Sequence, residues 1–322
     1  MPKSQKFQLY DHPAQMEPLL PSEARLSPAL ERAHDLIRQA DRLAGWNAGG
    51  APSGLKLLLR AMNSYYSNKI EGQHTLPLEI EQALRNDYAS DADKARRQRL
   101  ALAHMATESQ LETLWPQWDT AQVWSVQTLA DIHQDLFARL PEGDRMQPDG
   151  EAVQVLQPGQ WRQREVSVRR HAAPTAAALP AFLARWSQVY GQARRGEMQV
   201  VAMAAAHHRL TWIHPFLDGN GRVARLHSHL SLGHMGLTNG LWSPLRGFAR
   251  SQETYYAQLA AADEARAGDL DGRGNLTEAG LLGWIDYVIG VCIDQVSFMR
   301  SLLSPEGMKD RIAACLSYEE KV

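Results

Sequence analysis

Between Pro28 and Leu303, apolar residues recur three and four positions apart in one segment after another, and one long stretch, Pro141 to Pro174, breaks the rhythm. A period near 3.6 marks helices with one buried face. The spacing therefore predicts a nearly all-α fold with a single irregular flap. The expected helices run from Pro28 to Leu43, with Ser27 as N-cap, and from Ser53 to Glu71, where Leu55, Leu58, Leu59 and Met62 form an apolar stripe and Gly72 ends the helix. Others are expected over Leu78 to Tyr88, Ala92 to Leu114, Ser125 to Leu140, Ala178 to Arg194, Glu197 to Ile213, Gly219 to Met235, Gln252 to Ala267 and Glu278 to Leu303. Glycines and prolines punctuate the flap, and Val166-Ser167-Val168-Arg169 alternates as a short strand does, which predicts one small β-hairpin.

At 322 residues the chain can bury a sizeable core in one to three domains. A net charge of −2 gives no global reason to expect nucleic-acid or membrane partners. The basic run Lys94, Arg96, Arg97 and Arg99 reads as a solvated helix face. The two cysteines, Cys292 and Cys315, fit buried thiols in a reducing compartment. Met1 to Pro21 lacks the apolar region of a signal peptide. The longest apolar candidate, Leu281 to Val296, is broken by Asp286, Gly290 and Asp294, short of the roughly 20 apolar residues of a membrane span. The expectation is a soluble cytoplasmic protein.

The densest chemistry lies in His214-Pro215-Phe216-Leu217-Asp218-Gly219-Asn220-Gly221-Arg222-Val223-Ala224-Arg225. Asp218 to Gly221 is turn chemistry at the start of a helix. Its glycines permit left-handed angles that aim successive N–H groups at one point, and the helix end adds its own unpaired N–H groups. Arg222 and Arg225 share that end, so the run reads as an anion nest suited to a polyphosphate. A carboxylate beside phosphates needs a cation between them, so Asp218 points to Mg²⁺. His214 can accept a proton from an attacking hydroxyl, and Phe216 reads as a core anchor.

Other readings fit less well. Gly219 to Ala224 matches G-x-G-x-x-A, but a helix precedes it and no acid follows before Gln252, so the dinucleotide fingerprint fails. A plain helix cap explains Asp218 and the glycines, but not His214 and two arginines in register. His207, His208, His227, His229 and His234 do not have zinc-motif spacing and read as core or surface histidines. Asp269-x-Asp271-x-Arg273-Gly274 starts like a calcium loop and fails at Arg273 and Gly280.

Residues His214 to Arg225 resemble the Fic motif, H-x-F-x-[D/E]-G-N-G-R-x-x-R, at every specified position. The resemblance implies a Fic-type helical bundle and a protein adenylyltransferase, which transfers AMP from ATP to a Ser, Thr or Tyr hydroxyl of a target protein, itself included, and releases pyrophosphate. Ser67-Asn68-Lys69-Ile70-Glu71-Gly72 resembles the family's inhibitory-helix motif, [S/T]-x-x-x-E-[G/N], upstream of the catalytic motif as in its class II members. The segment Gln160 to Arg170 is similar to the flap that docks the target backbone, although an ordinary surface hairpin fits equally. Tyr255-Tyr256-x-x-Leu259 is similar to the stretch lining the adenine pocket, and a plain aromatic core contact fits it as well.

The resemblance implies a role for each matched residue. His214 is the general base and Asp218 holds Mg²⁺. Gly219, Asn220, Gly221, Arg222, Val223, Ala224, Arg225, Tyr255 and Tyr256 bind ATP, with Arg225 toward the γ-phosphate. Ser67, Glu71 and Gly72 form the inhibitory element, in which Glu71 pairs with Arg225 at rest. A carboxylate–arginine pair both fills the γ-phosphate site and removes its cation. Some relatives transfer phosphate or phosphocholine instead, and Gly221 fits the AMP-transferring pattern. The alternatives are a hydrolase that removes AMP from a modified target, or a regulatory module that senses ATP without catalysis. The expected division is an N-terminal helical region with the inhibitory helix over 1–115, a Fic catalytic domain over 116–303 and a tail over 304–322. Many relatives continue into a winged-helix domain. The tail is too short for one, so either this member lacks it or the chain is a piece of a longer one. The sequence is compatible with an oligomer.

Overall fold

The computed structural model describes residues 9–46, 52–149, 152–168, 171–304 and residue 309. Its centre is the helix Glu197–Ile213, α8 in chain order, in which every residue from Val200 to Ala206 is at most 1% exposed. A helix apolar on all sides must be enclosed. Around it lie α1 (Glu23–Trp46), α7 (Leu179–Gly191), α9 (Asn220–His234), α11 (Gln252–Asp263) and α12 (Glu278–Leu303). The small side chains Ala202, Ala204, Ala205 and Ala206 allow those neighbours close approach, and the indoles of Trp186 and Trp284 donate to the carbonyls of Ala206 and Ala204.

An outer group consists of α2 (Ser53–Ile70), α3 (Pro77–Leu84), α4 (Ala92–Leu114), α5 (Thr120–Val123), α6 (Val126–Ala138) and α10 (Leu245–Arg250). Here α2 packs between α4 and α10, and α4 against α6 and α9. The all-α expectation holds, with two antiparallel strand pairs in place of the one hairpin. β1 (Met146–Asp149) pairs with β2 (Ala152–Val155), and β3 (Ser167–Val168) with β4 (His171–Ala172).

Five expectations need correction, the first of them for α3, which stops at Leu84 and does not reach Tyr88. α1 begins at Glu23, so Pro28 lies inside it and Ser27 is not its cap. The buried stripe Leu26, Ala29, Ala33, Leu36, Ala40 and Leu43 continues back past the proline, and burial holds the first turn despite one lost hydrogen bond. The expected stripe of α2 is buried only in part, with Leu55 and Leu59 half-buried against the core. Leu58 is 58% exposed, while Asn63, Ser64, Ser67 and Asn68 face inward. Helix α11 stops at Asp263 because Ala265 leaves to form a bridge with Leu276. Finally, α12 is long and apolar enough by composition to cross a membrane. In this fold Leu281, Trp284, Ile285, Val288, Ile289 and Cys292 are buried, and α12 packs against α1, α8 and α11. The Cys292 thiol is unpaired and burial pushes it up to about 12, while Cys315 lies outside the described residues.

Candidate active site

Helix α8 ends at His214, which takes a left-handed backbone angle (φ 50°) and donates its N–H to the Leu210 carbonyl. That conformation turns the chain sharply into the loop before α9. Two clasps hold the loop. The Asn220 amide accepts from the Phe216 N–H and donates to the Phe216 carbonyl, both at 2.9 Å. The Arg162 guanidinium, almost fully buried, donates to the carbonyls of His214 (2.8 Å), Arg164 (2.8 Å) and Pro174. Arg162 thus ties the base of the flap to the turn bearing His214. Phe216 is fully buried and stacks on the His133 ring of α6, with centroids 3.9 Å apart.

His133 is also a hinge pin. Its Nδ1 accepts from the Gly159 N–H at 2.8 Å, so Nε2 carries the proton directed at the Asp218 carbonyl, 3.3 Å away. Burial pushes this ring down to about 4, so it stays neutral. His214 is likewise pushed down to about 4, chiefly by burial, with the charges of Arg162 and His171 adding to the effect. Neutral imidazole is the form a general base needs.

At the start of α9, Gly219 adopts φ +82°, and a Cβ there would overlap the Phe137 ring. The two glycines of the motif do different work. Gly221 has no left-handed angle; a Cβ on it would overlap Oε1 of Glu71. Close approach, rather than conformational freedom, favours glycine here, since a Cβ would displace the Glu71 carboxylate from its place beside Arg225. Oδ1 of Asp218 accepts the Gly219 N–H at 2.6 Å, and Oδ2 accepts from Gln147 of β1 at 3.0 Å and lies 3.8 Å from Arg222. The first-turn N–H groups of Asn220, Gly221 and Arg222 have no intrahelical acceptor by helix geometry. Beside Asp218 and Arg222 lies a small cleft of about 10 Å³, walled by Leu100, Phe137 and Leu140 and edged by Gln73, Arg96, Asp144 and Gln147.

Helix α2 closes this end of the loop. Gly72 (φ +72°) donates to the Lys69 carbonyl and Gln73 to the Asn68 carbonyl, the paired bonds of a Schellman stop. Glu71 is therefore an acid at a helix C-terminus, where the dipole opposes it. Arg225 compensates. Its Nη2 donates to Glu71 Oε1 at 2.6 Å and to the Ser67 carbonyl at 3.0 Å, and its Nε donates to the Ser67 hydroxyl at 3.0 Å. Arg222 donates to the Asn68 side chain at 3.2 Å. Burial would raise the Glu71 carboxyl, but Arg225 and Arg222 outweigh it and hold the group below the usual carboxylate range. The same pairing outweighs burial at Arg225 and raises its pKa.

His214, Asp218 to Arg222 and Arg225 thus surround one loop, and Ser67 and Glu71 reach it from α2. Val223 and Ala224 do not turn toward it. Both side chains lie in the hydrophobic core, and the Val223 N–H is bonded to the Gly219 carbonyl. Tyr255 is buried too, but its hydroxyl, 2.9 Å from His207 Nε2, also pairs with Arg225. Tyr256 donates to the Ile70 carbonyl at 2.8 Å and so holds the last turn of α2. Arg169 and Arg170 of the flap lie outside the described residues. Sequence reasoning did not assign roles to Asn68, Arg96, His133, Gln147 or Arg162. Asn68, Arg96 and Arg162 stood inside segments already singled out and Gln147 inside the irregular flap, whereas His133 carries no local signal.

The Asp218 carboxylate fits a single-carboxylate Mg²⁺ site. It is 36% exposed beside the cleft and one oxygen is engaged only by a neutral amide and a distant guanidinium.

Residues 123–232 match the model of the Fic/DOC family. A protein adenylyltransferase Fic of Drosophila ananassae is 31% identical over 113 residues, which are 35% of this chain and 22% of the relative. That of Drosophila persimilis is 30% identical over the same length, with 21% of the relative covered. The chain therefore spans under a quarter of the length of these curated relatives. Among solved structures, a Fic family protein from Desulfovibrio desulfuricans G20 superposes with a TM-score of 0.64 at 20% identity, covering 91% of this chain and 77% of that one. Fic-1 from C. elegans (residues 134–508) superposes with a TM-score of 0.59 at 15% identity, covering 87% and 76%. At such identities the likeness is one of fold. With the motif loop, the family match and the shared architecture agreeing, residues 123–232 of this chain are identified as a Fic/DOC domain.

Proposed function

We propose that this chain is a protein adenylyltransferase held at rest by Glu71. The hydroxyl oxygen of a target Ser, Thr or Tyr attacks the α-phosphorus of ATP. The new O–P bond forms as the bond to the β-phosphate oxygen breaks, pyrophosphate leaves, and His214 takes the hydroxyl proton. The first-turn N–H groups of α9 with Arg222 and Arg225 hold the phosphates. Asp218 would hold Mg²⁺, which would neutralise phosphate charge when bound. The flap around Trp161 to Val168, fastened to the His214 turn by Arg162, would receive the target backbone beside the base.

The observation that carries the reading is the Glu71–Arg225 contact at the motif loop. A carboxylate there competes with a phosphate for the same guanidinium and repels it. ATP then binds, if at all, with its α-phosphate out of line for attack. The test is self-labelling with α-labelled ATP. Glu71→Gly is expected to label strongly, wild type weakly, and Glu71→Gly combined with His214→Ala not at all. Equal labelling of wild type and Glu71→Gly would remove Glu71 from the scheme.

A further inference from the structure

Behind the motif loop, α2, α4 and α9 enclose a buried polar cluster that the proposed reaction does not use. Glu108 and Glu112 stand one turn apart on α4, and His229 of α9 points its ring between them. Nε2 of His229 lies 3.7 Å from Oε1 of Glu108 and 3.6 Å from Oε1 of Glu112, and one donor atom from each of the three residues lies within 4.8 Å of the others. The side chains of Glu108 and His229 are 1% and 3% exposed.

These separations are too long for hydrogen bonds. They are close to the spacing of two ligands on one ion, about 3.4 Å for tetrahedral corners at a metal–ligand distance of about 2.1 Å. The polar atoms also lack partners. Neither nitrogen of His229 has a hydrogen-bond partner among the described residues, nor does Oε2 of Glu108, nor either nitrogen of the fully buried His104, whose Nδ1 lies 3.8 Å from that oxygen. Buried groups of this kind are nearly always satisfied, so an orphaned set calls for an occupant. The outer side of the cluster is already built. Asn63 donates to Glu108 Oε1 at 2.7 Å, and Arg60 donates through Nε to Glu112 Oε2 at 3.0 Å, which leaves Oε1 of Glu112 toward the histidine. Such outer partners orient metal ligands.

We propose that Glu108, Glu112 and His229 bind one first-row divalent cation of the zinc type. Two carboxylates and an imidazole suit that class of ion better than Mg²⁺, which avoids nitrogen. Arg60 and Glu112, 21% and 13% exposed, mark the side by which it enters. The site shares no residue with Asp218. Its ligands join α4 to α9 one turn past Arg225, and its outer partners belong to α2, so the ion would fasten the helix bearing Glu71 to the helix bearing Arg225.

The full chain, carrying no polyhistidine tag and stripped with a chelator, would be titrated with Zn²⁺ by calorimetry and with Co²⁺ by visible absorption. Wild type and Asp218→Asn are expected to bind about one equivalent, Asn63→Ala to bind about 10- to 100-fold more weakly, and His229→Gln to lose the site. The Co²⁺ bands of wild type serve even where a variant fails to fold. Failure of wild type to bind either ion would overturn the site, leaving a protonated histidine between two carboxylates. Unchanged binding by folded His229→Gln, or loss in Asp218→Asn, would overturn it equally.

Discussion

Arg225 closes one helical turn of α2 twice, since the Nη2 that meets Glu71 Oε1 at 2.6 Å also meets the Ser67 carbonyl at 3.0 Å. The guanidinium is 1% exposed and the carboxylate 30%, so the acid can swing toward solvent while the arginine stays. Removing only the charge should therefore release the site without disturbing α2. A hydrogen bond to a charged group contributes about 1.5–3 kcal/mol, equivalent to roughly 10- to 150-fold in an equilibrium constant. In a His214→Ala background, which suppresses turnover, Glu71→Gln should tighten ATP binding by at least about 10-fold. Fluorescence titration reads this directly, and an unchanged Kd would show that the contact does not gate the nucleotide.

The acid side of the pH profile follows from His214. In the folded chain burial pushes the ring down to about 4, whereas in the unfolded chain it titrates near 6.5. Between those values the unfolded chain binds the proton and the folded chain does not, so stability falls as pH drops from about 6.5 toward 4. His133, also pushed down to about 4, acts in the same direction. The expected result is a melting temperature at pH 5 below that at pH 7. Labelling by Glu71→Gly should stay insensitive to protonation of the base down to about pH 5. An acid limb centred near 6.5 would mean that the His214 ring is solvated during turnover.

Arg162 joins the flap to the turn that carries His214. Its buried guanidinium serves three carbonyls at hydrogen-bonding distance, including that of His214 itself. Arg162→Ala removes the donor of all three bonds, at about 1–3 kcal/mol for a buried acceptor left without one. It should destabilise the chain by about 3 kcal/mol or more. Lysine, a point donor without the planar fork, should not restore stability. Urea unfolding of the two variants checks both statements, and a stable Arg162→Lys would show that charge alone suffices.

The helices that could be read to the residue, Ala92–Leu114, Glu197–Ile213 and Glu278–Leu303, have strong local signals at their ends: the Asp91 and Thr277 caps, Gly196, Trp115-Pro116 and the motif itself. His214, Asp218, Arg222 and Arg225 were legible because they crowd one loop and one helix start. What could not be read was direction. Periodicity showed α2 to be amphipathic and placed the whole stripe inward, whereas Leu55 and Leu59 are only half-buried, Leu58 is exposed, and the fully buried face is Asn63, Ser64, Ser67 and Asn68, chosen by the arginines of α9 and the acids of α4. His133 and Arg162 stand far from the motif in sequence and meet it only through tertiary packing, in positions that no spacing rule marks. His229 was passed over for the same reason, since its neighbours Glu108 and Glu112 come from another helix.

Tyr256 separates two roles that one residue cannot fill equally. The family resemblance assigns it to the adenine pocket, while its hydroxyl donates to the Ile70 carbonyl, the residue before Glu71, beside a second donor from Gln252 at 3.0 Å. If the hydroxyl chiefly anchors the end of α2, Tyr256→Phe frees part of that anchor and leaves the ring in place. Loss of one such bond corresponds to about 0.5–1.5 kcal/mol. Basal self-labelling of otherwise wild-type protein should then rise about 2- to 10-fold. In the Glu71→Gly background, where no lock remains to loosen, the same substitution should leave both rate and KM for ATP unchanged. A raised KM in that background, with no rise in basal labelling, would instead assign the hydroxyl to the nucleotide.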